Sequence, residues 1–260
     1  MLEAGFACYP QLEPDSKSMM KTKLTLFVTV LAFCFQCELT GANLKKGLVA
    51  YYPFNGHSLD ESGNGHHGGV SGATLATDRN GKKNRAYSFD GQDDYIQIIK
   101  HLPDMKAVTV SAWINKRDEK TAFVFSDSTS VSHNDFMLAV GKNVIGIRAD
   151  KSGASLGYKT VPRGGGFTNV GENLPKRTWL MITWVMNPYK SHIFIDGQLI
   201  ATVDATGSNI GYHRARIGSD PHYRTAYAFK GSIDDVRIYN RALSAKEVKA
   251  LYNLEKPKGQ

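Results

Sequence analysis

The stretch at 108–114 reads Val108-Thr109-Val110-Ser111-Ala112-Trp113-Ile114, in which aliphatic residues occupy every second position. Successive side chains of a β-strand point to opposite faces, so the aliphatic row shares one face and Thr109, Ser111 and Trp113 share the other. The pattern predicts a strand with one face against a core. Trp113 then lies either on an open concave sheet or in a second half of the core.

Short runs rich in β-branched and aromatic residues recur between turn signals along the rest of the chain. This spacing is typical of a β-sandwich, and no helical periodicity interrupts it before the C-terminus. The sequence therefore predicts an all-β fold, a two-sheet antiparallel β-sandwich, with strands near 48–54, 86–89, 95–98, 108–115, 122–125, 135–140, 144–148, 178–185, 192–195, 198–203 and 231–239.

A tight hairpin is predicted at Asp196-Gly197, which separates two apolar runs. Both central residues of a type I′ turn need positive φ, and this residue pair adopts it readily.

One short helix is predicted near the C-terminus. Ser244 can cap it, Glu247 can close a capping box, and Leu243 can pack against Val248. We expect this helix to end near Tyr252.

The first 42 residues have the features of a targeting segment. Lys21 and Lys23 precede an apolar run that is shorter than the ~20 residues of a membrane span, and Thr40-Gly41-Ala42 supplies small residues for cleavage. We predict a leader or mis-assigned start at 1–18, a signal peptide at 19–42, no membrane span, and a mature domain at 43–260. Lipoprotein processing at Cys37 is an alternative. The protein is expected to be secreted, to the extracellular space, the periplasm or the cell surface.

Cysteine content and net charge indicate how the mature domain is stabilised and which partners it favours. Cys8, Cys34 and Cys37 all precede residue 43, so the domain holds no disulfide and needs a large core or a bound ion for stability. It carries 29 basic against 20 acidic side chains, a surplus of nine, which favours anionic partners. The basic residues are scattered without interleaved aromatic residues, so we predict no nucleic-acid interface.

A calcium site is predicted where the loop 60–68 meets the strand 231–239. Hard oxygen donors in a tight turn, with a carboxylate on a distant strand, suit Ca²⁺. The expected donors are Asp60, Ser62, Asn64, His66 and Asp234, with backbone oxygens supplied near Ser62 and His66. Alternation places Asp235 on the face opposite Asp234, with Arg237 as its partner. The alternative is a plain turn, which the same residue types favour.

Two other segments contain residue types that bind ions. The segment 90–94 (DGQDD) contains three carboxylates, but Asp94 also suits a turn in which it caps backbone amides. His66-His67 suggests zinc only weakly, because adjacent histidines rarely reach one tetrahedral ion.

Five segments carry a family resemblance: GLVAYYPFNG at 47–56, DESGNG at 60–65, YSFDGQDDYI at 87–96, IDG at 195–197 and GSIDDVRIYNRALS at 231–244. In this order they resemble the signatures of laminin-G-like jelly-roll domains of the concanavalin A-like lectin/glucanase superfamily. The resemblance implies two packed antiparallel sheets, a structural calcium ion between the first loop and the last strand, and binding of glycans or proteins. Such domains often accompany a catalytic domain.

Catalytic signatures are weak. Glucanases of this superfamily are expected to carry Glu-x-Asp-x-x-Glu on one strand, which is absent here. Lyases of the same fold use clustered Arg, Gln, His and Tyr residues, for which the candidates are His133, Tyr158, His213 and Tyr223. The chain is therefore predicted to be a non-catalytic binding module, with a polysaccharide-degrading lyase or glycosidase as the alternative.

The predicted ligand is a glycan or an extracellular protein, possibly anionic; a protein-binding adhesion module is a further alternative. Loops carry most recognition on rigid β-scaffolds, and 157–171 is the longest irregular segment. The candidate contacts are Trp113, Tyr158, Arg163, Phe167 and Tyr223.

Overall fold

The computed structural model describes residues 42–127, 136–141, 144–148, 174–204, 215–221 and 225–258. These residues contain fourteen strands and one helix. The strands are β1 (Leu48–Tyr52), β2 (Gly68–Ser71), β3 (Thr74–Ala76), β4 (Ala86–Asp90), β5 (Tyr95–Ile98), β6 (Val108–Lys116), β7 (Ala122–Asp127), β8 (Phe136–Gly141), β9 (Val144–Arg148), β10 (Trp179–Met186), β11 (Lys190–Ile195), β12 (Gln198–Asp204), β13 (Arg216–Ile217) and β14 (Lys230–Tyr239), and the helix is α1 (Ala245–Glu255).

The strands form two antiparallel sheets. The eight-stranded sheet has the order β12-β11-β10-β6-β14-β4-β3, with β1 paired to the second half of β14. The six-stranded sheet has the order β2-β5-β13-β7-β8-β9. Strands that are neighbours here, such as β6 and β14, lie far apart in sequence. The predicted all-β, two-sheet jelly-roll sandwich with one short C-terminal helix is confirmed.

The main core lies between the two sheets. The aliphatic row of β6 enters this core, where Val110 and Ala112 are fully buried together with Ile96 and Ile217 of the other sheet. The opposite face of β6 is also covered, because Trp113 packs in a second cluster with Leu243, Val248 and Leu251. Trp113 is 2 % exposed. Its assignment to a second half of the core is therefore correct, and its assignment as a ligand contact is wrong, since α1 covers that face.

The predicted caps of α1 are present. Ser244 accepts a hydrogen bond from the Glu247 amide, and the Glu247 carboxylate accepts one from the Ser244 amide. The helix continues to Glu255, three residues beyond the predicted end. Glu255 is buried and hydrogen-bonded to Trp113, so tertiary contacts extend the helix beyond its local signals.

The hairpin between β11 and β12 also matches its prediction. Asp196 and Gly197 have φ values of 50° and 73°, and Ile195 pairs with Gln198 across the turn. Both positive φ values fit the type I′ turn. The Asp196 carboxylate accepts the Met181 amide at 2.8 Å, which ties the hairpin to β10.

Among the described residues, no helix has both the length and the apolar composition needed to cross a bilayer.

Candidate functional site

The loop after β1 is organised around the carboxylate of Asp60. One oxygen accepts the amides of Tyr51 (2.9 Å) and Ser62 (2.8 Å), and the other accepts the amide of His66 (2.9 Å). Burial acts to raise the pKa of Asp60, but these hydrogen bonds outweigh it and the pKa lies below its ordinary value. Asp60 is therefore an ionised acceptor for three backbone donors.

The other polar groups of this loop face β1. The Ser62 hydroxyl donates to the Val49 carbonyl at 3.0 Å, and the Asn64 amide donates to the same carbonyl at 3.0 Å. The Tyr52 hydroxyl donates to the His66 carbonyl at 2.5 Å. These bonds hold the loop against the first strand, and the bond from Tyr52 occupies the His66 carbonyl oxygen, one of the expected ion ligands.

Asp234 and Asp235 lie at a β-bulge in the middle of β14. Asp235 has φ of 45°, and one extra residue separates the pairs Asp234 with Trp113 and Arg237 with Ser111. A bulge breaks the alternation of side chains, so both carboxylates face the same guanidinium. The prediction that they point to opposite faces is wrong for this reason. Arg237 pairs with Glu255 and not with Asp235.

A set of buried charged and aromatic groups surrounds the bulge, and we call it the Arg79 cluster. Its members are Tyr51, Arg79, Trp113, Asp234, Asp235, Arg237 and Glu255.

The side-chain contacts of the Arg79 cluster form a closed circuit. Arg79 binds Asp235 at 2.6 Å and lies 4.7 Å from the centroid of the Trp113 ring. Trp113 donates to Glu255 at 3.0 Å, and Glu255 accepts Arg237 at 2.5 Å. Tyr51 completes the circuit, because the centroid of its ring lies 3.6 Å from the Arg237 guanidinium.

The hydroxyl of Tyr51 donates to Asp235 at 2.6 Å. The Arg79 cluster therefore joins β1, the loop before β4, β14 and the end of α1.

Charge within the Arg79 cluster is unbalanced, with three carboxylates against two guanidiniums. Burial, and secondly repulsion by Asp235, raise the pKa of Glu255 to about 7 and that of Asp234 to about 8. Arg237 and Arg79 oppose this shift at Glu255. The cluster thus tends to retain a proton near neutral pH.

Two of the five predicted calcium donors already have partners. The Asp60 carboxylate accepts three N–H donors, and Asp234 is paired with Arg79. Calcium remains a prediction drawn from the family resemblance.

Within the described ranges, one group of three carboxylates has its oxygens within 4.8 Å of one another, namely Asp90, Asp93 and Asp94. Asp94 accepts the Asp90 amide at 2.7 Å, as expected for a capped turn. Burial, assisted by the neighbouring carboxylates, raises the pKa of Asp94.

Tyr158, Arg163, Phe167 and Tyr223 lie outside the described residues, as do His133 and His213.

A polar patch on the outer face of the six-stranded sheet was not predicted. Tyr95 and Gln97 of β5 alternate with the core residues Ile96 and Ile98, so they face away from the core, and Arg216 of β13 pairs with Gln97. The Arg216 guanidinium lies 3.8 Å from the centroid of the Tyr95 ring, and its Nε donates to the Gln97 amide oxygen at 3.0 Å. This patch combines an aromatic ring, an amide and a cation whose orientation is fixed.

The patch continues towards β7. Ser126 pairs with Arg216 across the strands, and its hydroxyl donates to Asp220; both of these side chains are buried, so the exposed part of the patch ends at Arg216. Strand alternation in 95–98 could have indicated the outward position of Tyr95 and Gln97. The two-residue strand β13 carries no local signal, so its contribution could not be read from the sequence.

A family model described as the concanavalin A-like lectin/glucanases superfamily matches residues 90–249. The chain belongs to this superfamily. The match includes the outward patch, the hairpin and the bulged strand. No sequence among curated proteins matches the chain.

Solved structures share the fold at low sequence identity. Domain 4 of AbnA, an extracellular arabinanase from Geobacillus stearothermophilus solved with arabinotriose, is 22 % identical with a TM-score of 0.53, over 79 % of this chain and 98 % of that one. The binding domain of Paraclostridial Mosquitocidal Protein 1 is 17 % identical with a TM-score of 0.58, over 82 % of this chain and 53 % of that one. The botulinum neurotoxin serotype G binding domain is 16 % identical with a TM-score of 0.56, over 80 % of this chain and 51 % of that one. The chain thus spans about half of each toxin domain.

Proposed function

We propose that residues 43–260 form a secreted, non-catalytic module that binds a glycan on the outer face of the six-stranded sheet. The observation that carries the proposal is the arrangement of Tyr95, Gln97 and Arg216 on adjacent strands. The superfamily includes lectins, and the similar arabinanase domain was solved with a bound trisaccharide, which supports a carbohydrate ligand.

The chemistry of this patch suits a sugar. A pyranose or furanose offers C–H groups on its faces and hydroxyls at its edge, so it needs a flat apolar surface beside donors and acceptors. Tyr95 supplies the ring face opposite Arg216. The Gln97 amide nitrogen donates to the Ala215 carbonyl at 2.9 Å, and its oxygen, which accepts Arg216, keeps a second lone pair for a sugar hydroxyl. Because Arg216 stacks on Tyr95, little conformational entropy is lost when it binds.

The non-catalytic assignment rests on the carboxylates. The sequence has no glucanase motif, and the adjacent pair Asp234 and Asp235 is committed to Arg79 in the interior. A buried, paired carboxylate cannot protonate or attack a glycosidic bond at the surface.

Secretion and calcium are separate parts of the proposal. Secretion rests on the apolar, lysine-preceded segment within 19–42. Calcium rests on the family resemblance, and the glycan proposal does not depend on it.

A glycan array probed with residues 43–260, in EDTA and in millimolar calcium, tests the proposal. We expect binding to a restricted set of glycans. No binding in either buffer, or release of new reducing ends or unsaturated sugars from a bound polysaccharide, would overturn it.

A further inference from the structure

Two loops meet at the end of β6. The loop 117–121 follows this strand and the segment 174–178 precedes β10. The Arg177 amide donates to the Lys116 carbonyl at 2.8 Å, and the Lys176 ammonium lies 2.8 Å from the Glu119 carboxylate. We call this region the basic corner, made of Lys116, Arg117, Asp118, Glu119, Lys120, Lys176 and Arg177.

The basic corner has a local excess of positive charge. Five of its side chains are basic and two are acidic, a surplus of three. Both acids are used internally, because Asp118 pairs with Lys116 and Glu119 with Lys176. Arg117, Lys120 and Arg177 are exposed. About a third of the positive surplus of the mature domain therefore lies at one end of one strand.

A cavity of about 330 Å³ opens beside the exposed cations of the basic corner; of the corner's residues, Lys116, Asp118, Glu119 and Lys176 line it. One side is charged, with Lys116 and Lys176 opposite their acidic partners, and the other side is formed by Leu174, Pro175 and Gly141. This volume falls at the lower end of the range for small-ligand sites.

Two features fix the walls of this cavity. Lys116 is only 4 % exposed and its ammonium lies 5.5 Å from the centroid of the Phe229 ring, so it cannot move freely into solvent. A Cβ at Gly141 would lie 2.8 Å from the Cα of Thr121, so this wall must remain backbone.

The charge of Lys120 acts on Lys116, although the hydrogen bond and charge of Asp118 act on it more strongly and in the opposite direction. Burial is the main cause that lowers the pKa of Lys116, and the charge of Lys120 adds to it. Lys120 is thus close enough for its field to reach the floor of the cavity. An anion placed between them would relieve this repulsion.

We propose that the basic corner is a second glycan site, which binds the carboxylate- or sulfate-bearing residues of a polyanionic polysaccharide. The acidic group lies among Lys120, Lys176 and Arg177, and the C–H face of the sugar lies against Leu174 and Pro175. This inference rests on the proposed glycan-binding function but uses none of the residues Tyr95, Gln97 and Arg216.

The experiment measures binding of residues 43–260 to immobilised heparin, to polygalacturonate and to neutral dextran at two salt concentrations. The test variant is Lys120→Glu with Arg177→Glu. The matched control is Lys45→Glu with Lys46→Glu, which changes the net charge equally. Lys45 and Lys46 precede Leu48, which lies beside Tyr239 and Thr109, about 23 Å along β6 from Lys116.

We expect the test variant to bind one or both polyanions about tenfold more weakly, from two reversed charges at a screened surface, and the control to stay within about twofold. Binding should fall as salt rises. Comparing the affinity for heparin with that for polygalacturonate distinguishes recognition of sulfate from recognition of carboxylate. Equal losses in both variants would show attraction by net charge alone, and no loss in the test variant would show that the corner is not a site; either result overturns the inference.

Failure of this inference is distinguishable from failure of the proposed function. If the protein binds array glycans through the Tyr95 patch but Lys120→Glu with Arg177→Glu has no effect on polyanion binding, the proposed function stands and the second site is refuted. Melting temperatures of both double variants show whether each remains folded.

Discussion

Arg79 bridges Asp234 and Asp235, with its two terminal nitrogens 2.5 Å and 2.6 Å from the respective carboxylates. The bulge at Asp235 makes this possible, because a regular strand would turn one carboxylate away. Arg79 also donates from Nε to the Glu255 carbonyl at 2.7 Å. One side chain thus connects the loop before β4 with the last strand and the end of the helix.

Replacing Arg79 with methionine should destabilise the domain by about 3–5 kcal/mol, since it leaves two buried carboxylates without their cation. Urea unfolding of Arg79→Met measures the loss. The control is Arg85→Met at an exposed position in the same loop, which should change the unfolding free energy by less than about 1 kcal/mol. Equal effects of the two substitutions would contradict the role of Arg79.

Stability should decline as pH rises through about 7, because the folded state holds a proton on Glu255 that the unfolded chain releases above its ordinary pKa of 4.5. This contribution is complete below pH 4.5 and is lost as pH passes the raised pKa. Glu255→Gln cannot release that proton, so its melting temperature should vary less between pH 5 and 8.

Glu247→Gln is the control on the same helix. The pKa of Glu247 is lowered to about 2, mainly by the hydrogen bond from Arg241, so this residue does not titrate between pH 5 and 8. The melting temperature of Glu247→Gln should fall between pH 5 and 8 as much as that of the wild type. Parallel pH profiles for wild type and Glu255→Gln would show that Glu255 does not titrate in this range.

Gly197→Val should destabilise the hairpin by more than about 1 kcal/mol. The residue has φ of 73°, and a Cβ there would lie 3.0 Å from the side chains of Lys249 and Tyr252. Gln198→Val, at the next and exposed position, introduces the same side chain at a strand residue and should be nearly neutral. Thermal melting compares the two, and similar melting temperatures would refute the turn assignment.

Asp60→Ala should lower stability by about 3 kcal/mol, because three backbone amides lose their acceptor. Melting curves are recorded in EDTA and in millimolar calcium, with the exposed neighbour variant Glu61→Ala as control. The hydrogen-bond role predicts the same loss in both buffers. A loss seen only with calcium would instead assign Asp60 as a calcium ligand, and overlaying wild-type curves in the two buffers would end the calcium proposal.

Local patterns in the sequence predict local structure well. Alternation identifies β6 and its core face, Asp196-Gly197 identifies the hairpin, and the Ser244 and Glu247 pair identifies the start of the helix. Each of these features depends on residues within one turn or one strand, so its determinants are adjacent in sequence.

The parts that could not be predicted depend on long-range contacts. The bulge at Asp235 and its pairing with Arg79 join positions more than 150 residues apart, and nothing local distinguishes Asp234 from Asp235. The sequence leaves a ligand surface open for Trp113 because it does not show that α1 covers that sheet face. The short strands β2, β3 and β13 contain no run of alternating apolar residues, so the sequence does not indicate them.

The most direct test of the proposed function is titration of the best array glycan against wild type, Gln97→Ala and Arg216→Met, with Gln198→Ala on the other sheet as a matched control. The patch account predicts at least about tenfold weaker binding for Gln97→Ala and Arg216→Met, since each loses a hydrogen-bonding group at the site, and wild-type affinity for Gln198→Ala. Wild-type affinity in folded Gln97→Ala and Arg216→Met would contradict the account.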